Sequence, residues 1–237
     1  FNGELIICNG VNKPVMINSS MVAIYLRDLA TLSNVNTPIC RYVIAHGRFL
    51  VMAGSLAGGQ ESIIFISATD VGGTWLGDPS PNDAVNIDLG SRVPIGSQVI
   101  KGMGRFRDKI MIMFEDVILP GALAVFDDDA NHTPVFDDAM QNVGALSHRI
   151  IQTIGEDMIF GDVNGVSSVS RALFTGSVTS DRQSHLIDPE YHASVETVNN
   201  TFALEDRVWS VWDSANNNYM LFIPNAVAAA EITEYRC

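Results

Sequence analysis

Apolar and polar positions alternate along this chain in a recurring pattern of strand, tight polar turn and strand. The pattern is clearest in four segments: Arg41–Ser55, Gln98–Asp116, His148–Asp162 and Asp206–Pro224. Each has an apolar run, a short turn rich in Gly, Asp, Asn or Arg, and a second, more apolar run, which is typical of a β-hairpin. The first turn is expected at His46-Gly47. Hairpins repeated at a period near ~40–50 residues predict the blades of a β-propeller.

Shorter apolar runs predict further strands around these hairpins. They are Glu4–Cys8, Val15–Ile17, Ser62–Ser67, Val85–Leu89, Val99–Phe106, Lys109–Phe114, Leu123–Phe126 and Val166–Ser170. The segment Met21–Leu26 fits either a strand or a short helical turn. The dipeptide Asn9-Gly10 is a turn signal, because both residues tolerate positive φ. The polar segment Ser177–Glu196 is compatible with a short helix, and Ala226–Ile232 with either a helix or a closing strand.

These elements predict an all-β protein built as a propeller-like array of antiparallel meander blades. We expect one such domain over residues 1–237. The chain starts at Phe1 rather than Met and ends at Cys237 just after an alanine-rich stretch. We therefore expect a segment of a longer protein, in which the propeller is partial or is closed by strands from elsewhere in the parent chain.

Composition narrows the classes of partner. Charged residues make up 17% of the chain, the net charge is −13 and the mean hydropathy is +0.17. Soluble domains usually carry ~25% charged residues, so part of the surface is expected to be buried in an assembly or to be rich in uncharged polar residues. The acidic balance argues against a surface that grips nucleic-acid phosphates. No apolar run reaches ~18 residues, so membrane insertion is not predicted.

Metal sites have little support in the sequence. Cys8, Cys40 and Cys237 lack the spacing of a zinc site or a disulfide framework. Cys8 and Cys40 follow apolar residues, which favours buried thiols in a reducing compartment. Oxygen ligands at Asp127, Asp129, Asn131, Thr133 and Asp138 have the spacing of a Ca²⁺-binding loop. His132 stands where that loop needs Gly, and strands flank it, so a solvated acidic loop is the preferred interpretation.

Catalytic signatures are also missing from the sequence. Its five histidines are scattered over turns and loops: His46, His132, His148, His185 and His192. Neither GxSxG nor HExxH occurs, and Gly102-Met103-Gly104 lacks the third glycine and the helix of a dinucleotide loop. We predict no enzyme activity, no cofactor and no catalytic residue. Paired carboxylates that meet only in three dimensions stay open as a glycosidase site.

Tryptophans are the candidates for stacking on a sugar. Trp75 is expected to be exposed in the loop Asp70–Asn82, and Ser67–Trp75 approaches by composition the Asp-box turn of sialidase-type propellers. That family repeats the box, and here it occurs once, with Ser three rather than two residues before Asp70. Trp209 and Trp212 are three residues apart, so in a strand they face opposite sides.

The order of these units resembles the β-propeller of the tail nozzle proteins of short-tailed bacteriophages, the tail tubular protein B or phage stabilisation protein family. The likeness runs from Glu4 to about Arg182 and lies in hairpins and turn residues. The segments that carry it are Glu4–Gly10, Arg41–Ser55, Ser62–Thr69, Asp70–Asn82, Val85–Ile87, Ile100–Phe114 and Gly144–Arg171.

The resemblance implies a structural role in a virion tail, assembled in the cytoplasm of a host bacterium. It implies a homo-oligomeric ring, typically hexameric, that contacts the portal–adaptor ring and the tail fibre or needle proteins. Such a ring retains the genome and conducts it during ejection, with DNA passing and not binding specifically. The alternative is a propeller glycosidase or a glycan-binding or adhesion module.

Overall fold

The structure is a computed structural model that describes residues 1–27, 35–78, 83–94, 98–122, 134–175, 188–199, 208–224 and 232–236. Its strands form five antiparallel sheets, each made of strands that follow one another in the chain. None of the five sheets among the described residues closes on itself. The described part of the chain is therefore mostly β-strand, arranged in open antiparallel meanders. This agrees with the prediction of an all-β protein.

The first two sheets come from residues before 90. Sheet 1 contains β1 (Leu5–Ile7), β2 (Val15–Ile17) and β3 (Ala23–Tyr25). Sheet 2 contains β4 (Cys40–His46), β5 (Phe49–Ser55), β6 (Ile63–Ile66) and β7 (Val85–Asp88).

The other three sheets follow in order. Sheet 3 contains β8 (Gly102–Phe106), β9 (Lys109–Met113), β10 (Val117–Ala122), β11 (Val135–Phe136) and β12 (Met140–Gln141). Sheet 4 contains β13 (Gln152–Ile154), β14 (Asp157–Asp162) and β15 (Gly165–Ser168), and sheet 5 contains β16 (Trp209–Asp213), β17 (Asn218–Pro224) and β18 (Ile232–Arg236). Two helices, α1 (Val169–Thr175) and α2 (Asp188–Asn199), lie between sheets 4 and 5 in the chain.

The four predicted hairpins are confirmed, and each turn contains one residue with left-handed backbone. These residues are Gly47 (φ 57°), Arg107 (φ 55°), Gly155 (φ 60°) and Asn217 (φ 56°). A positive φ is what a tight hairpin turn needs to match the twist of its strands. The first turn lies at Gly47-Arg48, one residue later than expected, because His46 is still paired with Phe49 as the last residue of β4.

Some predicted element bounds are wrong. The third strand of sheet 3 is β10, which was not predicted because Pro120 weakens the strand pattern; the carbonyl of Pro120 accepts a hydrogen bond from Asp137 N. The strand predicted over Leu123–Phe126 lies outside the described residues. Val99–Phe106 becomes a strand only from Gly102, and β15 ends at Ser168, where α1 begins in place of further strand.

Four apolar cores lie between successive sheets. The core between sheets 1 and 2 includes Met16, Leu50 and Trp75, and the core between sheets 2 and 3 includes Phe49, Val51, Ile110 and Ile112. The core between sheets 3 and 4 includes Met111, Met113, Met158 and Phe160, and the core between sheets 4 and 5 includes Ile150, Tyr191 and Leu221. Each core joins neighbours in the chain, so the sheets pack face to face in sequence order.

Alternation within a strand links one core to the next. In β9, Ile110 and Ile112 face sheet 2, whereas Met111 and Met113 face sheet 4. Successive side chains of a strand point to opposite faces, so a strand that is apolar throughout can contribute to two cores at once.

The first strands of sheets 2 to 5 lie side by side. β4 contacts β8, β8 contacts β13, and β13 contacts β16. The later strands of each sheet extend away from this line of first strands.

Candidate functional site

A cavity of about 480 Å³ lies between the end of β1 with the loop after it, the start of β4 and the turn before β13. Sheet 1 contributes Ile6 to Asn9 and Val11, and sheet 2 contributes Arg41 to Val43 with Leu56. The third wall is Ser147 to Arg149, the entry to sheet 4. We call this space the central cavity. It is built from residues far apart in the sequence that the stacking of sheets brings together.

The entry to sheet 4 presents two basic side chains on a short, anchored turn. Residues His148–Ile150 form one turn of 3₁₀-helix, and the Ser147 hydroxyl caps it by accepting a hydrogen bond from Arg149 N at 3.3 Å. Sheet 5 holds the turn from behind, since Tyr219 Oη donates to Ile150 O at 2.7 Å and Ser210 Oγ donates to Arg149 O at 3.2 Å. The turn is therefore fixed on both sides.

His148 has a defined tautomer. Its Nδ1 accepts a hydrogen bond from Met103 N at 3.3 Å, so in the neutral ring the proton lies on Nε2. The ring lies 4.9 Å from that of Tyr42, centroid to centroid, at a tilt of 41°. Burial lowers the pKa of His148, and the neighbouring Arg149 charge acts in the same direction. The imidazole is neutral at pH 7 and is a hydrogen-bond donor through Nε2.

Glycines make room for the side chains of this wall. A Cβ at Gly10 would lie 2.5 Å from Arg41 Cγ, and one at Gly54 would lie 2.5 Å from the Tyr42 ring. A Cβ at Gly102 would lie 2.9 Å from His148 Cα. Gly10 N also donates to Cys40 O at 2.9 Å, which fastens the chain leaving β1 across the start of β4.

The cavity is basic in an acidic protein. Arg41, His148 and Arg149 line it, and among its described lining residues there is no carboxylate. The net charge of the whole chain is −13. Burial raises the pKa of Cys8 to about 12, so this thiol stays protonated near neutral pH and is a poor nucleophile.

A second, more open cavity of about 680 Å³ lies at the far end of sheet 2. Glu61 and Asp88 line it together with Ser62, Gly90 and Gln98. Asp88 Oδ1 accepts hydrogen bonds from Ser62 Oγ at 2.5 Å and from Gly90 N at 2.8 Å. The bond from Ser62 lowers the pKa of Asp88, and the one from Gly90 adds to it. These hydrogen bonds hold the end of β7 to Ser62, just before β6, and to Gly90, just after β7.

The predicted exposure of Trp75 is wrong. The side chain is 1% exposed and belongs to the core between sheets 1 and 2. The preceding residues form a small closed turn, in which Thr74 N donates to Val71 O and Ala68 N donates to Thr74 O. The Asp-box-like segment therefore places its tryptophan in the core between sheets 1 and 2. A sugar cannot stack on Trp75 in this fold.

The remaining tryptophans face opposite sides of β16, as predicted. Trp212 packs against the core between sheets 4 and 5. Trp209 is 38% exposed, and its ring stacks on that of Phe222 at 4.1 Å and 9°. Trp209 is therefore the tryptophan that is open to solvent in the described structure.

The predicted Ca²⁺ ligands Asp127, Asp129 and Asn131 lie outside the described residues, as does Thr133. Asp138 is described and exposed. Within the described ranges, no group of three or more His, Cys, Asp or Glu residues is placed to hold a metal ion.

Cys40 is a buried free thiol, as predicted, and Cys8 is half-buried; Cys237 is not among the described residues. No described helix is long and apolar enough to cross a membrane.

Sequence reasoning did not identify Arg41 or Arg149 as site residues, and it treated His148 as one scattered histidine. One signal was present. In two of the four hairpin segments, basic residues stand at the start: Arg41 is the second residue of β4, and His148-Arg149 comes just before β13. If equivalent positions of the units converge, their side chains meet.

No protein-family model matches the chain, and a search of curated proteins also returns no match.

Proposed function

We propose that this chain is a structural component of a bacteriophage tail, in which copies associate through the outward faces of their end sheets as a ring that retains and then conducts the genome. The phage assignment rests on the resemblance of the hairpin units to tail nozzle proteins. The assembly rests on one observation: in the described structure, the outward face of sheet 1 and the β16–β17 part of the outward face of sheet 5 present exposed apolar side chains.

The outward face of sheet 1 is apolar throughout. Register places six side chains on it, in two rows across the three strands: Leu5, Ile17 and Ala23, then Ile7, Val15 and Tyr25. Leu5 is 59% exposed and Tyr25 is 57% exposed. The opposite face, with Ile6, Met16 and Ile24, packs in the core between sheets 1 and 2. A patch of this kind marks an interaction site more often than a solvated face.

The other apolar patch lies on the β16–β17 part of the outward face of sheet 5, where the register places Glu234 and Arg236 of β18 beside Phe222 and Met220. Register pairs Trp209 with Phe222 and Val211 with Met220 across β16 and β17. Ser210 and Trp212 point to the opposite side, toward the core between sheets 4 and 5. If sheet 5 of one copy packs on sheet 1 of the next, the contact is heterologous, and a heterologous contact closes into a ring when its rotation allows.

The charge balance fits a conduit for DNA. With a net charge of −13, the chain repels the phosphate backbone at long range, so nucleic acid slides past rather than adsorbing. The propeller closure that the resemblance implies is part of this proposal. The alternative, a glycan-binding or glycosidase propeller, now has Trp209 as its exposed stacking residue in place of Trp75.

Assembly is tested by measuring mass in solution. Light scattering after size exclusion and negative-stain imaging should show rings for the purified chain. Leu5→Glu and Val211→Glu should each shift the mass to the monomer, because each puts a charge into one side of the same contact. Leu173→Glu is the control, since Leu173 is 50% exposed on α1, away from both faces. A monomer that none of these changes affects would contradict the ring.

The phage role has its own test, because assembly alone does not identify it. Mass spectrometry of virions purified from the bacterial lysate should detect the chain, and immunogold labelling should place it at the tail tip. Its absence from purified virions would overturn the tail assignment. Binding of glycans in an array, lost in Trp209→Ala, would instead support the alternative.

A further inference from the structure

We infer that Asn2 is a site of spontaneous deamidation, in which water converts the asparagine to aspartate and isoaspartate, and that the fold protects the other Asn-Gly pairs. This inference stands apart from the proposed tail role, and either can fail without the other. The chain has three such pairs: Asn2-Gly3, Asn9-Gly10 and Asn164-Gly165. As dipeptides they are equivalent, and the structure separates them by what holds each glycine nitrogen.

The reaction begins with an attack by the glycine nitrogen. That nitrogen loses its proton and bonds to Cγ of the asparagine, the bond from Cγ to Nδ2 breaks, and ammonia leaves a succinimide ring. Water then opens either carbonyl of the ring, to give aspartate or isoaspartate, and no oxidant or cofactor takes part. Glycine favours the attack because it has no side chain to hinder it. A nitrogen that already donates a hydrogen bond must leave its acceptor before it attacks.

At Asn2 the attacking nitrogen is available. Asn2 (φ 50°) and Gly3 (φ 79°) are the central residues of a tight turn, which Glu4 N closes by donating to Phe1 O at 2.9 Å. Both central residues are exposed, and no atom lies within 4 Å of a Cβ position on Gly3. In the part of the chain that the structure describes, Gly3 N donates no hydrogen bond. The attack on Cγ therefore requires this nitrogen to leave no partner.

In the other two pairs the glycine is buried and its nitrogen is a donor. Gly10 N donates to Cys40 O at 2.9 Å, and Asn9 Oδ1 accepts from the backbone nitrogens two and three residues later at 2.9 and 2.8 Å. Gly165 N donates to Asp162 Oδ1 at 2.9 Å within the turn between β14 and β15. Breaking such a bond before the attack should slow the reaction about fivefold, and burial should slow it further.

Deamidation of Asn2 has a structural consequence, because its side chain joins two turns. Asn2 Nδ2 donates to Asp70 O at 2.9 Å, and a Cβ at Gly72 would lie 3.1 Å from the Phe1 ring. The reaction replaces this donor by a carboxylate, which when ionised only accepts hydrogen bonds and cannot bind a carbonyl oxygen. Conversion of Asn2 should therefore loosen the first turn from the segment that leads to Trp75.

Peptide mapping of the folded chain during incubation at mildly alkaline pH tests the site. Cleavage after Glu4 separates Asn2 from Asn9, mass spectrometry follows the conversion of amide to acid, and an isoaspartyl methyltransferase labels the isoaspartate. Asn2 should convert about fivefold faster, or more, than Asn9 and Asn164. Conversion of either of those residues at the rate of Asn2 would overturn the inference.

The same incubation in urea is the matched control, because it removes the fold and keeps the three dipeptides. The three rates should then come together. A preference for Asn2 that persists unchanged in urea would originate in the neighbouring sequence and would overturn the structural explanation.

Substitution tests the consequence. Asn2→Asp reproduces one product, and amide hydrogen exchange over Asp70–Thr74 should become about fivefold faster, as expected for the loss of one hydrogen bond. Asn12→Asp is the control, since it makes the same change of charge at an exposed asparagine after β1 and should leave this exchange unchanged. Equal exchange in Asn2→Asp and in the unaltered chain would overturn the loosening.

Discussion

Sheets 1 and 2 are built from strands of similar apolarity but differ in what covers them. All seven residues of β5 are buried, because sheet 1 covers one face of it and sheet 3 the other. In β1, with the sequence Leu-Ile-Ile, the middle residue packs toward sheet 2 and the two flanking residues are exposed. The position of a sheet in the stack, rather than its sequence, decides how much of its apolar surface leaves water.

The same contrast separates sheet 3 from sheet 5. Sheet 3 uses both faces of β9 for packing, whereas in β16 the face with Trp209 and Val211 is partly open. The lesson is that an inner sheet is stabilised by two neighbours and an end sheet by one. Substitutions should therefore be costly at the interfaces between sheets and tolerated on the outward faces of the isolated chain.

The tryptophans give the largest expected difference. Trp75→Ala removes a fully buried ring from the core between sheets 1 and 2 and should lower the free energy of unfolding by about 3–5 kcal/mol. Trp209→Ala loses one exposed stacking contact with Phe222 and should cost on the order of 1 kcal/mol. Urea denaturation at concentrations where the chain is monomeric measures both. Similar losses would contradict the contrast between interface and outward face.

A glycine at the junction of sheets 1 and 2 should give the next effect. A Cβ at Gly73 would lie 1.9 Å from the carbonyl oxygen of Arg27, just after β3, so Gly73→Ala forces the backbone apart. We expect a loss of about 1–3 kcal/mol, the usual cost of overpacking. Gly58→Ala is the control, because nothing lies within 4 Å of its Cβ position and its φ is not left-handed. The two thermal midpoints should differ clearly; equal midpoints would mean that the junction yields easily.

Acidification should give the smallest effect. Burial lowers the pKa of His46 and of His148, so the unfolded chain, with histidine pKa values near ~6.5, binds more protons than the folded one. Stability present above pH ~6.5 is then lost as the pH falls toward the lowered folded values. Unfolding at pH 7, 6 and 5 should show this decline, and His148→Gln should reduce its slope.

The pH range over which stability declines distinguishes the effect of these histidines from that of the carboxylates. Hydrogen bonds lower the pKa of both Asp70 and Asp88, so those carboxylates lose their contribution only below their ordinary values near pH 4. A decline between pH 7 and 5 that His148→Gln leaves unchanged would assign the effect to other groups.

Local signals made the hairpins predictable. Gly47, Gly155 and Asn217 are residue types that accept a positive φ, and each stands between two apolar runs. The features that depend on packing between distant segments, such as the burial of Trp75, were not predictable from the sequence. Trp75 looked like a loop residue because its neighbours are Gly, Pro and Asp, and only the docking of sheet 1 on sheet 2 shows that it is buried.

The central cavity was beyond sequence reasoning for the same reason. Arg41 and Arg149 are more than a hundred residues apart in the chain, and no motif links them. Their meeting follows from the convergence of first strands, which is set by how the sheets stack. The strand β10 was missed for a local reason, because Pro120 is rare inside a strand and the pattern around it reads as an interruption.

The order in which the cores are shared has a consequence for synthesis of the chain. Every core needs only two sheets that are adjacent in sequence, so as the polypeptide leaves the ribosome each new meander finds its docking surface already formed. The sheets can therefore add to the stack one at a time, in the order of the chain. Each added sheet is stabilised by its contact with the sheet before it, as in solenoid proteins. Each new sheet covers the inner apolar face of the sheet before it, which limits the apolar surface open to aggregation while the chain is incomplete.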